Sequence, residues 1–293
     1  MRTHSIAAAI ILATTTVASA QQPAAPTFAT TKVEGTEGVY VFRYQNHQAM
    51  FIVTPAGVIT TDPISYGRPE AAKAYLEEIQ KITKAPVKYL IYSHHHYDHI
   101  AGGKVFKDAG AVVIAHSKAK ERLSTLKGKD IVLPDRVVSN KDAIKLGGTT
   151  LELHYTGRNH SDTSLVMFLP KEKIIFAVDF NALGNVPSRL AINDSYPVEW
   201  EASLKRTLAL DWERMIPGHP GPGGRLGTKK DMEQQLAFMT EMSAEVKKAS
   251  DAGKCFSPAD TELKLPTYAT MAGYEQNLAW VIHRWCGYWG RGI

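Results

Sequence analysis

A long apolar run is missing from most of this 293-residue sequence. After residue 20 no stretch is apolar enough to cross a bilayer, which excludes a membrane span in the mature protein. The sequence also has no large cluster of residues of one charge sign, because the formal net charge is only +5 and the basic residues are scattered. The pairs Lys229-Lys230 and Lys247-Lys248 fit a solvated helix face better than a nucleic-acid groove, so we expect no nucleic-acid partner.

Cysteine is scarce, with two residues, Cys255 and Cys286, both near the end of the sequence. An exported protein can form a disulfide, and a bridge here would join the last helices. Two free, buried thiols are the alternative. The sequence leaves this choice open because it does not give the distance between the two side chains.

The first 20 residues have the pattern of a secretory signal peptide. Arg2 is their only charged residue, a mostly apolar run covers residues 5–17, and Ala18-Ser19-Ala20 matches the small-x-small cleavage pattern. We therefore predict a cleaved signal peptide that exports the protein to the periplasm or the medium. An N-terminal anchor that is never cleaved is the alternative.

Hydrophobic patterns in the rest of the chain alternate between strands and helices. They predict strands at 39–44 and 58–61, a helix over 68–83 and a buried strand at 87–91. The second half repeats this plan, which is typical of an α/β fold. The predicted layout is a signal peptide over 1–20, a flexible lead-in over 21–30 and one domain over 31–293, with C-terminal helices from about 228.

One short stretch of the chain contains an unusually dense group of possible metal-binding side chains. Six consecutive residues, beginning at His94, include four histidines and one aspartate. Histidine is the commonest metal ligand among side chains, and zinc also accepts an aspartate oxygen. On an extended backbone the side chains of His94 and His96 point the same way, so both can reach one metal. Asp98 and His99 can then reach a second metal.

Three later loops each follow a predicted strand and carry one more candidate ligand. These candidates are His160, Asp179 and His219, and Asp62 ends a strand ahead of the histidine stretch. Loops at one end of a sheet converge, which is how α/β folds build their sites. Burying this many imidazoles and carboxylates without a partner would be costly, and the sequence offers no convincing Ser-His-Asp triad. We therefore predict a metal-dependent hydrolytic site.

The residues from His94 to His99 match the pattern His-x-His-x-Asp-His, which resembles the signature of the metallo-β-lactamase superfamily. The resemblance extends over about 33–220. It includes four further motif positions in the expected order: Asp62, His160, Asp179 and His219. It implies an α/β fold of the αββα sandwich type, with two mixed sheets flanked by helices and a metal pair at one edge.

The resemblance also implies a role for each motif residue. The metal ligands fall into two sets of three: His94, His96 and His160 for the first metal, and Asp98, His99 and His219 for the second. Asp179 would bridge both metals, and Asp62 would orient a ligand. Two zinc ions per chain are expected, with iron or manganese as alternatives.

A mechanism follows from such a metal pair. Two dications stabilise hydroxide, so a shared water would lose a proton near neutral pH and attack the scissile bond. Asp98 would act in catalysis by orienting this nucleophile. The resemblance therefore implies a hydrolase that needs no nucleophilic side chain.

Two positions depart from the exported metallo-β-lactamases that use a cysteine ligand, to which 157–170 is similar. Asp179 stands where those enzymes have the cysteine, and Ala182 where they usually carry a lysine that pairs with the substrate carboxylate. An aspartate is typical of the esterases, lactonases, thioesterases and phosphodiesterases of the superfamily. We expect a small-molecule substrate with an ester, lactone or amide bond, and β-lactams are less favoured.

Two other functions stay open at this point. The same site could hydrolyse phosphate or sulfate esters. The fold could also be a metal-binding or partner-binding module without turnover, although the complete ligand set argues against that. The sequence does not indicate an oligomeric state.

Residues outside the motifs receive simpler interpretations. Tyr97, Arg158 and Arg189 are candidates for substrate binding, although surface salt bridging is the default role of an arginine. His95 lies between two expected ligands, should point away and is not expected to bind metal. His47 has no motif context, and we expect it to be a surface or hydrogen-bonded core histidine.

Overall fold

The computed structural model describes residues 26–126, 128 and 130–293. The predicted signal peptide and the first half of the predicted lead-in lie outside these residues. Strand β1 (Phe28–Lys32) begins before residue 30, the predicted end of the lead-in, and pairs antiparallel with β2 (Val39–Tyr44). The sequence of β1 hides this strand because Phe28 is its only large apolar residue.

The first sheet has seven strands in the order β1 to β7. Its first four strands form an antiparallel meander, and β4 to β7 run parallel. The remaining strands of this sheet are β3 (His47–Thr54), β4 (Gly57–Thr61), β5 (Val87–Ile91), β6 (Val112–His116) and β7 (Arg136–Val138).

Four helices connect the strands of the first sheet: α1 (Ala71–Ile82), α2 (Tyr97–Ile100), α3 (Gly103–Asp108) and α4 (Ser117–Leu126). Helix α1 is amphipathic, and it buries Tyr75 and Ile79, which are four residues apart on one face. The Tyr75 ring stacks on Phe42 of the sheet with ring centroids 4.6 Å apart. The outer face of the first sheet is therefore covered by helices.

The second sheet has five strands in the order β12-β11-β10-β9-β8. Strands β8 to β11 are antiparallel neighbours, and β11 pairs parallel with β12. As a result β9, β11 and β12 all run in one direction. The strands are β8 (Lys141–Leu146), β9 (Thr149–Tyr155), β10 (Leu165–Leu169), β11 (Ile174–Ala177) and β12 (Arg214–Pro217).

The later helices are α5 (Pro197–Leu208), α6 (Lys229–Asp251), α7 (Ala259–Glu262) and α8 (Tyr274–Arg291). Helix α6 begins at a capping box, in which the Thr228 and Asp231 side chains each accept a hydrogen bond from the other's backbone nitrogen. Cys255 forms a disulfide with Cys286 of α8, with Cα atoms 5.3 Å apart. This contact ties the segment after α6 to the last helix.

Three buried apolar clusters define the layers of the fold. One lies between the sheets and includes Ile59, Leu151 and Phe176, all fully buried. The other two lie between each sheet and its own helices. The order helix, sheet, sheet, helix confirms the αββα sandwich of two mixed sheets. Among the described residues, no helix is both long enough and apolar enough to span a membrane.

Candidate metal centre

Five strands deliver motif residues to one edge of the sandwich. Asp62 follows β4, His94 follows β5, His160 follows β9, Asp179 follows β11 and His219 follows β12. The two sheets are also joined at this edge, where the backbone nitrogen of residue 165 donates to the carbonyl oxygen of residue 93 at 2.7 Å. The site is therefore built from both halves of the chain.

The first group of ligand atoms comes from His94, His96 and His160. One atom from each of these side chains lies within 4.8 Å of the other two. His160 Nε2 and His96 Nδ1 are 2.9 Å apart. The three rings approach one another edge to face, with centroids 4.5 to 5.2 Å apart. Three imidazole nitrogens thus point toward a common centre.

The opposite nitrogen of each ring in this group faces a fixed partner. His94 Nδ1 lies 2.9 Å from Ser93 Oγ, and His160 Nδ1 lies 2.6 Å from the backbone oxygen of Ala191. His96 Nε2 lies 2.9 Å from the carboxylate of Asp194. Partners of this kind fix the tautomer and the orientation of metal-binding histidines, so this group is arranged as a three-nitrogen site.

The second group contains Asp98, His99 and His219, joined by His47. His99 Nε2 lies 3.6 Å from Asp98 Oδ2, and His47 Nε2 lies 3.1 Å from the same oxygen. His219 Nδ1 lies 2.5 Å from the backbone oxygen of Asn46, which leaves its Nε2 facing the site. Helix α2 carries Asp98 and His99, so a single turn of helix supplies two members.

Asp179 lies between the two groups. Its Oδ2 is 3.9 Å from His94 Nε2, 3.7 Å from His160 Nε2 and 3.1 Å from His99 Nε2. Its Oδ1 is 3.2 Å from His219 Nε2. The Asp179 backbone has a φ of 65°, an uncommon value outside glycine that is often found at functional sites. One carboxylate therefore faces nitrogen atoms from both groups.

Asp62 contacts residues of the site through hydrogen bonds but does not face its centre. The side chain is fully buried and accepts hydrogen bonds from the backbone nitrogen of Ser93 at 2.8 Å and from its hydroxyl at 2.6 Å. Its Oδ2 also lies 3.4 Å from His99 Nδ1. Asp62 thus contacts the residue before His94 and the outward nitrogen of His99.

Burial and neighbouring charges set the protonation of the site. Burial lowers the pKa of His94 well below the ordinary value and also lowers the pKa of His160, which favours the neutral form. Burial alone would raise the pKa of Asp179, but His99 and His219 outweigh it and hold that pKa well below its usual range. Burial alone would lower the pKa of His99 and His219, but the Asp179 carboxylate outweighs it and raises both, so a metal would displace protons from these two rings. Neutral imidazole and ionised carboxylate are the forms that bind a metal.

Several buried atoms in the site have no hydrogen-bond partner among the described residues. These atoms are His94 Nε2, both ring nitrogens of His99, His47 Nδ1 and Asp179 Oδ1. An unpaired buried polar group is costly, and each such group needs an explanation. Imidazole nitrogen and carboxylate oxygen are ligands that zinc prefers, so the residues present fit a bound metal.

The three predicted substrate-binding residues lie outside both groups. Tyr97 is half-buried and its ring centroid lies 6.2 Å from that of Tyr66. Arg158 pairs with Glu199 and lies over the Tyr196 ring, so neighbours already engage its charge. Arg189 is exposed. Nothing in these contacts assigns the three residues a substrate.

His95 points away from the two groups, as its position between two candidate ligands indicates. Its Nδ1 contacts the hydroxyls of Ser161 and Thr163 at 3.1 and 3.0 Å. One of its atoms does lie within 4.8 Å of atoms of His96 and Asp194. Its contacts with the two hydroxyls hold the loop after β5 against the loop after β9.

Sequence reasoning missed two residues of the site. His47 was expected to be a surface or hydrogen-bonded core residue, yet it contacts Asp98 within the second group. Asp194 lies in an irregular segment and received no role, yet it contacts His96. Both contacts join residues far apart in sequence, by 51 and 98 positions, and no local pattern signals them.

Comparison with known proteins identifies the family. A family model described as the metallo-beta-lactamase superfamily matches residues 47–219, which contain every candidate ligand described above. The chain belongs to the metallo-beta-lactamase superfamily. This assignment agrees with the αββα sandwich and with the order of the motif residues along the sequence.

Individual superfamily relatives are distant. The chain is 26% identical over 201 residues to the 2,4-dinitroanisole O-demethylase subunit alpha of Nocardioides sp. strain JS1661, covering 66% of this chain and 58% of the relative. It is 29% identical over 182 residues to the metallo-beta-lactamase type 2 of Bacillus cereus, covering 59% and 66%. The chain thus spans less than two thirds of the length of either relative.

A solved structure agrees in fold. The metallo-beta-lactamase from Pontibacter korlensis superposes with a TM-score of 0.62 at 20% identity, covering 73% of this chain and 99% of that one. At this identity the likeness concerns the fold alone. Superfamily membership and the His/Asp groups together support a metal-dependent hydrolase.

Proposed function

We propose that this protein is an exported dinuclear zinc hydrolase that cleaves an ester, lactone or amide bond of a small molecule. The observation that carries the proposal is the position of Asp179, whose two carboxylate oxygens lie 3.1 to 3.9 Å from nitrogen atoms of both ligand groups. A carboxylate in that position can serve two metals ~3.5–4 Å apart.

The metal ligands in this proposal are shared between both halves of the chain. They are His94, His96 and His160 for the first metal, Asp98, His99 and His219 for the second, and Asp179 for both. When bound, the two metals would supply Lewis acidity, which polarises the scissile bond and acidifies a water. The chain's own residues would orient the attacking water and hold the ligands in place.

Asp98 is the proposed catalytic side chain. It is the more open of the two aspartate ligands, with 37% of its side chain exposed against 8% for Asp179. Burial alone would raise the pKa of Asp98, but the hydrogen bond with His47 and the charge of His99 lower it, so it stays ionised. An ionised carboxylate at the mouth of the site can accept a hydrogen bond from the attacking water and orient it.

Buried, hydrogen-bonded side chains form the floor of the site, which favours electrostatic catalysis. Trp200 is buried, its ring centroid lies 6.2 Å from that of His160, and its indole nitrogen donates to the backbone oxygen of Phe180 at 2.9 Å. Fixed dipoles and charges act more strongly where water is excluded. Asp62 and Asp194 add further support by contacting the outward nitrogens of His99 and His96.

The substrate class rests on less direct support. The aspartate at position 179 resembles the esterases and lactonases of the superfamily, so carboxylic esters and lactones are the first substrates to test. Tyr97, Arg158 and Arg189 are proposed as substrate contacts. Phosphate and sulfate esters are the second candidates, and a metal-binding module without turnover is the third.

Elemental analysis and a substrate panel test the proposal together. We expect about two zinc ions per chain, with iron and manganese measured in the same sample. We also expect hydrolysis of at least one chromogenic ester, lactone, cephalosporin, phosphate or sulfate that a chelator abolishes. Asp98→Ala should remove this activity, whereas Asp108→Ala, which changes an exposed aspartate of α3, should not. A protein without transition metal, or an unimpaired Asp98→Ala variant, contradicts the proposal.

Export is a separate part of the proposal. The Cys255–Cys286 disulfide suits an oxidising compartment such as the periplasm. We expect the protein in the periplasmic fraction or the medium, with a mature N-terminus at Gln21. A full-length mass in the cytoplasmic fraction would contradict export and leave the hydrolase proposal intact.

A further inference from the structure

The end of the hairpin formed by β2 and β3 reaches across to the candidate metal centre. Asn46 lies in the turn, and His47 and Gln48 begin β3. Gln48 donates from its backbone nitrogen to the Gly218 oxygen at 2.7 Å and from Nε2 to the Pro217 oxygen at 2.9 Å. We name the three residues 46–48 the hairpin brace.

The hairpin brace holds the loop that carries His219. Besides the two bonds from Gln48, the backbone oxygen of Asn46 lies 2.5 Å from His219 Nδ1. An N–H at Nδ1 donates to this carbonyl, so Nε2 of the neutral ring keeps the lone pair that a metal needs. Because Nε2 lies 3.2 Å from Asp179 Oδ1, the brace fixes both the orientation and the tautomer of His219 toward the centre.

The same brace holds Asp98 from the other side. His47 Nε2 lies 3.1 Å from Asp98 Oδ2, and only 12% of the His47 side chain is exposed. The His47 ring centroid lies 4.3 Å from that of His219 and 5.3 Å from that of His99. His47 is thus packed among all three expected ligands of the second metal.

The contact with Asp98 decides between two roles for His47. His47 Nε2 and Asp98 Oδ2 have hydrogen-bond geometry at 3.1 Å. His99 Nε2 and Asp179 Oδ1 lack such geometry at similar distances from their neighbours. An ionised carboxylate can only accept hydrogen bonds, so the bond requires a proton on His47 Nε2. A nitrogen that carries a proton has no lone pair for a metal. His47 therefore acts on the carboxylate and is not itself a ligand through that atom.

Asp98 needs such a partner more than the other ligands do. It lies on α2, a helix of four residues, and its side chain is 37% exposed. Within the described chain, His47 makes the single side-chain hydrogen bond to the Asp98 carboxylate, whereas Arg68 contacts only the Asp98 backbone oxygen. Without His47 the carboxylate is free to turn toward solvent.

We propose that His47 is a positioning residue that fixes the Asp98 carboxylate for the second metal, and that Asn46 and Gln48 fix His219 for the same metal. The inference rests on the proposed function, since it presupposes that a second metal binds. According to this inference, the second metal site depends on the hairpin brace, although the brace contributes no ligand. No hydrogen bond or ion pair of the described residues joins the brace to His94, His96 or His160 of the first site.

Zinc titration of four full-length variants tests the inference. His47→Phe keeps a ring of similar size but removes the donor, and His47→Gln keeps an N–H donor. Gln48→Leu removes the bond to Pro217. His154→Phe is the matched control, because His154 is also a partly buried histidine paired with a carboxylate, that of Glu152 on β9.

The expected result separates the two zinc sites. In competition with a chelator of known affinity, His47→Phe should weaken the second zinc by about 10- to 100-fold and leave the first within about threefold, as is typical for loss of a ligand's supporting partner. Gln48→Leu should weaken the same zinc by a smaller factor. His47→Gln should restore binding to near the parent value, and His154→Phe should change neither site.

The other outcomes would each contradict a specific part of the inference. Unchanged binding of the second zinc by a folded His47→Phe protein excludes the positioning role. If His47→Gln is as weak as His47→Phe, His47 is a ligand and the positioning role is again wrong. If the parent protein binds no second metal, the proposed function itself fails. The visible spectrum of the cobalt-substituted proteins gives a second readout, in which only the bands of the second site should change in His47→Phe.

Discussion

Asp62 accepts two hydrogen bonds from Ser93, one from the backbone nitrogen at 2.8 Å and one from the hydroxyl at 2.6 Å, and both residues are buried. The pair joins the end of β4 to the end of β5. It therefore sets the path of the chain directly before His94.

Replacement of Asp62 by alanine should destabilise the protein even without metal. It leaves two buried donors of Ser93 without an acceptor, so we expect the free energy of unfolding to fall by about 3 kcal/mol. Urea denaturation with a chelator in both samples would measure this loss apart from any effect of metal. Asp108→Ala, at an exposed ion pair, should cost less than about 0.5 kcal/mol. A similar small cost for Asp62→Ala would show that Ser93 finds other partners.

Asp194→Ala should weaken the first metal site selectively. The His96 ring loses the carboxylate 2.9 Å from its Nε2, so its orientation toward His160 is no longer fixed. We expect about 10- to 100-fold weaker zinc binding at the first site. Chelator competition would measure it, with Asp211→Ala as an exposed aspartate control. Unchanged affinity would mean that the His96–His160 contact alone fixes the ring.

Cys255→Ser should lower stability under oxidising conditions. The bridge spans 31 residues, and loop-closure entropy for such a span corresponds to about 3–4 kcal/mol. Denaturant unfolding of the parent and the variant would measure the difference. Addition of a thiol reductant should reduce the parent's stability to that of the variant. A difference that persists after full reduction would point to packing instead of the bridge.

Asp231→Asn should weaken the start of α6 in a pH-dependent way. The hydrogen bond from Arg225 and the bonds from Thr228 lower the pKa of Asp231 from 3.8 to about 2. A lowered pKa in the folded state stabilises the protein above pH 4, and the contribution is lost as pH falls toward 2. We expect the variant to be about 1 kcal/mol less stable at pH 7.

The difference between Asp231→Asn and the parent should shrink between pH 4 and pH 2. Unfolding curves at several pH values would show this convergence. Asp251→Asn, at the exposed far end of the same helix, should show little difference at any pH. A constant gap for Asp231→Asn down to pH 2 would exclude the ionised carboxylate as its source.

Much of the fold could be predicted because its elements carry strong local patterns. The predicted strands at 39–44 and 87–91 appear with these bounds, and the helix predicted over 68–83 appears as Ala71–Ile82. Strands β7 and β8 were not predicted. β8 has the sequence KDAIKL, whose charges hide the alternation, and its only fully buried residue is Ile144. Pairing with β9 along six residues makes it a strand.

The clustering of the candidate ligands at one edge could be predicted because each follows a strand or lies in one dense motif. Their partners could not. His47 meets Asp98 because β3 and β5 belong to the same sheet and bring distant parts of the chain to one edge. Asp194 meets His96 because the segment after β11 of the second sheet packs against the loop after β5 of the first. The Cys255–Cys286 bridge was left open for the same reason, since it depends on how α8 packs. Contacts set by packing leave little trace in local sequence.

Each proposed metal takes ligands from both sheets: His94 and His96 with His160 in one case, Asp98 and His99 with His219 in the other. Such an ion is a cross-link between two halves of the core, and it is absent from the unfolded chain. Folding and zinc supply are then thermodynamically linked, with each site adding about 2.7 kcal/mol when free zinc is 100 times its dissociation constant. In a zinc-poor medium the enzyme would lose thermal stability together with its activity.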